Sequence, residues 1–84
     1  MLKIERRQIE VLDFAYLKRE PNAIIDTRNY ELYSSLSIRQ SIIDILELPA
    51  TIFHSEIIIH ACIIKEIKLP YCWFKNGLEF TYNT

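Results

Sequence analysis

Glycine is almost missing from this sequence: Gly77 is the only one among 84 residues. One glycine cannot build the Gly-rich loop that cradles a phosphate, so nucleotide-binding signatures are excluded. Cysteine is scarce too, with only Cys62 and Cys72, and no disulfide framework can be drawn from the spacing. The first twenty residues hold Lys3, Glu5, Arg6, Arg7, Glu10 and Asp13, which leaves no room for the apolar stretch of a secretory signal. Together these features predict a reduced, cytoplasmic setting. The longest strongly apolar run, Ile57 to Ile64, is eight residues and contains His60. A bilayer-spanning helix needs about twenty. Charge bias is lacking as well. Ten basic and eleven acidic side chains are spread without a basic stripe or an acidic tail. Nucleic-acid binding through phosphate neutralisation therefore has no clear footprint.

Isoleucine, by contrast, is abundant. Fifteen isoleucines stand against one valine and nine leucines, and half of all residues are hydrophobic. A chain of this length makes one domain, residues 1–84, and its core is adequate rather than generous. No internal repeat, low-complexity tract or linker is evident. Pro21, Pro49 and Pro70 divide the sequence into four parts.

Hydrophobic spacing predicts an α+β domain of about three helices and a C-terminal antiparallel β-hairpin. Ile4, Val11, Leu12, Ala15 and Tyr16 fall at helical spacing, with Lys3, Arg6, Glu10 and Asp13 opposite, which predicts an amphipathic helix over 3–19. Residues 20–36 read as a connection. Ser37-Ile38-Arg39-Gln40 fits a capping box, and Ile42, Ile43, Ile45 and Leu46 follow, predicting a helix over 38–47 that Pro49 stops. Residues 51–68 read either as a buried helix or as a strand. Their length favours the helix, whereas seven isoleucines in 52–67 favour the strand. The strand alternative gives a three-stranded antiparallel sheet packed by helices. Asn76-Gly77 predicts a hairpin over 71–82, whose register aligns Tyr71, Trp73, Phe80 and Tyr82 on one face.

That aromatic ladder is the candidate partner-binding surface, since Trp and Tyr are enriched in binding hot spots. Its plainer explanation is packing against the helices. His54, His60, Cys62 and Cys72 are residue types that bind zinc, but their spacing matches no paired-ligand pattern. On a strand, His60 and Cys62 would point the same way and Cys72 could join them, which keeps a small metal site as an alternative. A cysteine–histidine dyad needs a base in reach and an oxyanion site, and sequence proximity supplies neither. Glu56 and His60, four apart, fit surface electrostatics better than catalysis.

The order helix 38–47, helix 51–67, hairpin 71–82 resembles a winged helix-turn-helix in spacing alone. There Thr51, His54 and Ser55 would face DNA, with few cations near them. The reading that composition and pattern favour is a non-enzymatic protein–protein interaction module of the small accessory, inhibitor or immunity type. It needs no cofactor and is expected to self-associate. Nineteen hydrophobic residues among the 34 from Leu36 to Leu69 are hard for a short chain to hide.

Overall fold

The computed structural model describes all of residues 1–84. Strands hold 49% of them, and one short helix is the only helical element, so the expected three-helix α+β architecture is overturned. The chain winds instead as a parallel solenoid of three-sided coils. One side carries β1 (Leu2–Glu5), β5 (Leu36–Arg39), β8 (Ile57–His60) and β11 (Leu78–Thr81) in that order. A second side carries β2 (Gln8–Leu12), β6 (Ile42–Glu47) and β9 (Ile63–Lys68). The third stacks β4 (Glu31–Leu32), β7 (Ile52–Phe53) and β10 (Trp73–Phe74), with the short β3 (Ile25–Asp26) paired antiparallel to β4. Every other strand pairing is parallel.

The register discloses a repeat that the sequence hides. Leu36, Ile57 and Leu78 are stacked partners at equal spacing along the chain. The same spacing relates Ile42 to Ile63 and Ile52 to Trp73. His60 and Thr81, also stacked, show its size: they are 21 positions apart, and their side chains bond each other. A coil of that length falls within the range of solenoid repeats. The first coil is longer. Leu2 stacks on Leu36, and Arg7 meets Ser41 across the same layer boundary at a separation of 34 positions. The surplus lies between β2 and β4 and holds α1 (Phe14–Lys18) and β3.

In-register parallel stacking places like positions about 4.8 Å apart, so the core is a set of side-chain columns. Leu2, Leu36 and Ile57 form one column and Ile4, Ile38 and Ile59 another, all buried. Ile9 with Ile43, Leu12 with Leu46, and Leu32 with Phe53 make further columns, all buried too. Phe53 and Phe74 stack face to face with centroids 4.6 Å apart. The isoleucine wealth now has a physical use, because β-branched side chains pack well in a pleated stack.

The segments expected as helices fail for identifiable reasons. Residues 3–19 become β1, β2 and α1, because Leu2, Ile4, Ile9 and Leu12 all turn inward across a corner at Arg6 (φ 52°). Residues 38–47 become β5 and β6 about a corner at Gln40 (φ 50°). Ser37 caps no helix; it is buried in β5 and accepts from Arg39 Nε at 3.0 Å. Residues 51–68 are strand rather than helix, but as three short strands in three different sheets, not one member of an antiparallel sheet. The helix pair of a winged helix is therefore absent. Nor is 71–82 a hairpin. β10 pairs with β7 and β11 with β8, so Asn76-Gly77 turns the chain from one side of the solenoid to the next. Gly77 (φ +83°) donates its amide to the Phe74 carbonyl at 3.2 Å to make that turn. The 20–36 connection contains β3 and β4.

Corners recur at one place in every coil. Arg6, Gln40, Ala61 and Tyr82 all have positive φ, and their spacing follows that of the strands they join. The residue after a corner can turn inward and serve the exposed backbone groups. Ser41 Oγ donates to the Arg39 carbonyl at 2.9 Å and accepts from the Arg7 amide at 3.3 Å. Asn83 Oδ1 accepts from the Cys62 amide at 2.8 Å. Such bonds supply partners where the ladder is interrupted, which keeps buried amides satisfied.

Candidate functional site: the open end of the solenoid

The two ends of a solenoid expose the columns unless something covers them. At the N-terminal end the insertion between β2 and β4 does so. Phe14 and Leu17 of α1 are buried, and the first-coil residues Leu2, Ile4, Ile9 and Leu12 are sealed with them. Asp13 caps the helix by accepting from the Tyr16 amide at 2.9 Å. Arg7 ties the insertion down by donating to the Tyr16 hydroxyl at 3.0 Å and by pairing with Glu20. The Glu20 carboxylate, and then the Tyr16 oxygen, hold the Arg7 guanidinium proton more tightly than usual.

The other end has no such cover. The columns finish in Ile67 (46% exposed), Leu78 (38%) and Phe80 (45%), with Ile64, Leu69 and Phe74 partly buried beside them. β9, β10 and β11 are each the last strand of their sheet, so three strand edges open on the same surface. An open edge presents unpaired N–H and C=O groups, a ready template for another strand.

The four aromatic residues singled out from the sequence all lie in this terminal region, but not as one ladder. Phe80 faces the core end, and Trp73 stands on the outer face of β10 with the Lys75 ammonium 5.1 Å from its ring centroid. Tyr71 and Tyr82 sit at corners with positive φ and are almost fully exposed. The hairpin that would have aligned them is not formed.

The metal candidates are not brought together. His60 points outward and bonds Thr81 Oγ1 at 2.7 Å, while Cys62 is buried inside and donates weakly to the Ile38 carbonyl. Cys72 lies at a different corner, with Sγ 3.3 Å from the Pro49 carbonyl. No group of three or more His, Cys, Asp or Glu side chains has metal-binding geometry. Both cysteines are free.

Sequence reasoning missed one polar cluster on the lateral face. His54 Nε2 lies 2.8 Å from Glu31 Oε1, and the His54 ring stacks on Tyr33 at 4.5 Å. Tyr33 in turn donates to Glu31 Oε2 at 3.2 Å, and desolvation together with that carboxylate pushes its pKa up. Tyr33 and His54 occupy the same position in successive coils, a signal visible only once the repeat is known. Ser55 spends its hydroxyl on the Tyr33 carbonyl, so the histidine has no nucleophile to activate. A cleft of about 390 Å³ beside α1 is lined by Asp13, Glu47, Pro49, Lys68 and Pro70. Its charged groups already have work: Asp13 caps α1, and Glu47 lies 3.9 Å from Lys68.

The class that fold and site define is a short parallel β-solenoid, covered at one end and open at the other. Comparison with family models, with curated proteins and with solved structures found no match. No helix is long and apolar enough to cross a membrane.

Proposed function

We propose that this protein is a non-enzymatic protein–protein interaction module that docks through the open end of its solenoid. The observation that carries the reading is the contrast between the two ends. Equivalent core columns are sealed at Leu2 and Ile4 but stand open at Leu78 and Phe80. A contiguous apolar surface bordered by charged side chains is the usual mark of a protein interface. Three strand edges beside it favour a partner that adds its own strands. Lys65, Glu66, Lys68, Lys75 and Glu79 border the surface with both signs of charge.

Site-specific photo-crosslinking in the source cell tests this. A photoreactive residue at Phe80 is expected to give one dominant protein adduct, lost on Leu78→Lys. The same residue at Glu10, on the outer face of β2, is expected to give none. Equal labelling from both positions, or no adduct from position 80, refutes the docking role.

A further inference from the structure

We infer that Asn76 is a site of deamidation, and that losing its amide releases the turn between β10 and β11 from the layer before it. The inference does not depend on the docking role.

Ser34, Ser55 and Asn76 hold the same position in successive coils, two residues past the stacked Leu32, Phe53 and Phe74. Each reaches back with a side-chain donor. Ser34 Oγ donates to the Asn22 carbonyl at 3.1 Å, and Ser55 Oγ to the Tyr33 carbonyl at 2.7 Å. Asn76 Nδ2 does the same to the His54 carbonyl, also at 2.7 Å. The three make a column of clamps, and the last is an amide where the others are hydroxyls. That difference carries chemistry, because a primary amide can be hydrolysed.

The next residue makes this amide vulnerable. Of Asn22, Asn29, Asn76 and Asn83, only Asn76 is followed by glycine. Gly77 has no side chain to shield its backbone nitrogen, and the place a Cβ would take has no atom within 4 Å. The Gly77 nitrogen attacks Asn76 Cγ, forming an N–Cγ bond, and its proton passes to solvent. The Cγ–Nδ2 bond breaks and Nδ2 leaves as ammonia, which closes a cyclic imide. Water then opens the ring at either carbonyl, giving aspartate or isoaspartate.

Two hydrogen bonds must open first. The Gly77 amide leaves the Phe74 carbonyl, 3.2 Å away, and Nδ2 leaves the His54 carbonyl. Asn76 and Gly77 are both exposed, and exposed turns open locally while the sheets stay intact. The product cannot restore the clamp. An ionised carboxylate only accepts hydrogen bonds, and so does the His54 carbonyl. Isoaspartate also adds a carbon to the main chain of the turn, which displaces it from its register.

Mass spectrometry of the purified chain, held at constant pH with and without urea, reads the outcome. In the folded chain Asn76 is expected to convert about tenfold more slowly than in urea. Asn83, bonded through both Oδ1 and Nδ2, is expected to stay intact. Asn76→Asp, which stands for the aspartate product, is expected to melt about 4–8 °C below the parent. Asn76→Ser supplies a hydroxyl like that of Ser55, so it is expected to melt near the parent. If Asn76 stays intact in the folded chain while it converts in urea, the site falls. If Asn76→Asp melts with the parent, or both variants fall equally, the clamp falls. Should Asn76→Asp fail to fold, amide exchange over residues 73–81 decides, since exchange no faster in the aged chain than in the fresh one overturns the release.

Discussion

Asn83 stands one coil beyond Cys62 at the same corner and joins two layers through its amide. Its Oδ1 accepts from the Cys62 backbone amide at 2.8 Å, and its Nδ2 donates to the Ile59 carbonyl at 2.9 Å. The first bond serves an amide just past the positive-φ corner at Ala61, and the second ties Asn83 back to β8. Asn83→Ala leaves a partly buried amide and carbonyl without these partners, so the expected loss is about 1–3 kcal/mol. Urea unfolding measures it. Asn83→Ser should recover part of the loss, because serine already fills the equivalent place at Ser41.

Arg7 occupies that same corner in the first coil, where no preceding layer exists, and it reaches the cap instead. Arg7→Met keeps the stem but removes the bonds to Tyr16 and Glu20. The Arg7 side chain is more than a third exposed, so solvent screening limits the direct cost to about 1 kcal/mol. The larger expected effect is local. Amide exchange over residues 14–20 should quicken well before the stacked sheets respond, since the cap opens as a unit. Uniform exchange across the chain would contradict a hinged cover.

Backbone strain gives a cleaner test. Gly77 has φ +83°, and a Cβ built there meets no atom within 4 Å. Gly77→Ala should therefore cost about 1 kcal/mol from conformation alone, with no repacking. Ala61 has φ 56° at a corner and shows the reverse case. Ala61→Gly relieves the strain but frees the unfolded chain, so a gain below about 1 kcal/mol is expected. Thermal unfolding of both variants separates strain from packing.

The spacing of inward residues explains why the fold was so hard to read. In the second coil they are Leu36, Ile38, Ser41, Ile43, Leu46, Leu48, Thr51 and Phe53, all buried. Steps of two alternate with steps of three, which fall at the corner by Gln40, inside β6 between Ile43 and Leu46, and at Pro49-Ala50. The resulting intervals of three and seven imitate a helical face. The strand propensity of 52–67 was legible. The corners that cut it into β7, β8 and β9 were not, because residues such as Gln40 and Ala61 carry no turn signal. The repeat was written most plainly in Leu48-Pro49 and Leu69-Pro70, which fall one coil apart, but the longer first coil breaks the period. For the site, aromatic and apolar excess near the end of the chain was visible in composition. Its cause, a set of columns left uncovered, needs the solenoid to be seen.

Asp26 offers a pH test confined to the insertion. Its carboxylate accepts from the Asn29 and Arg28 amides, and these bonds hold its pKa below the ordinary value of 3.8. A depressed carboxylate contributes stability that is present above the unfolded pKa and lost as pH falls through the folded one. The turn joining β3 to β4 should loosen only below about pH 4, the unfolded value for Asp. Carboxyl chemical shifts followed by NMR should show Asp26 titrating below its ordinary value of 3.8. Asp26→Ala should remove that step and mobilise residues 26–30 while leaving the stacked sheets unchanged.

The strongest test of the architecture is a change of length. Each complete coil contributes the same set of columns, so a second copy of residues 36–56 placed after Glu56 keeps every strand over a register-matched partner. Ile57 would then stack on a duplicated Leu36 as it now stacks on the original. Nearest-neighbour interfaces dominate solenoid stability, so the lengthened chain is expected to fold and to melt higher. Duplicating residues 36–55 instead shortens the added coil by one. In strands with a two-residue period that shift exchanges the inner and outer faces of every later element. Leu78 and Phe80 would turn out while Glu79 turned in, and the variant is expected to lose its cooperative thermal transition. If both chains fold equally well, the coil running from Leu36 to Glu56 is not the unit that holds this protein together.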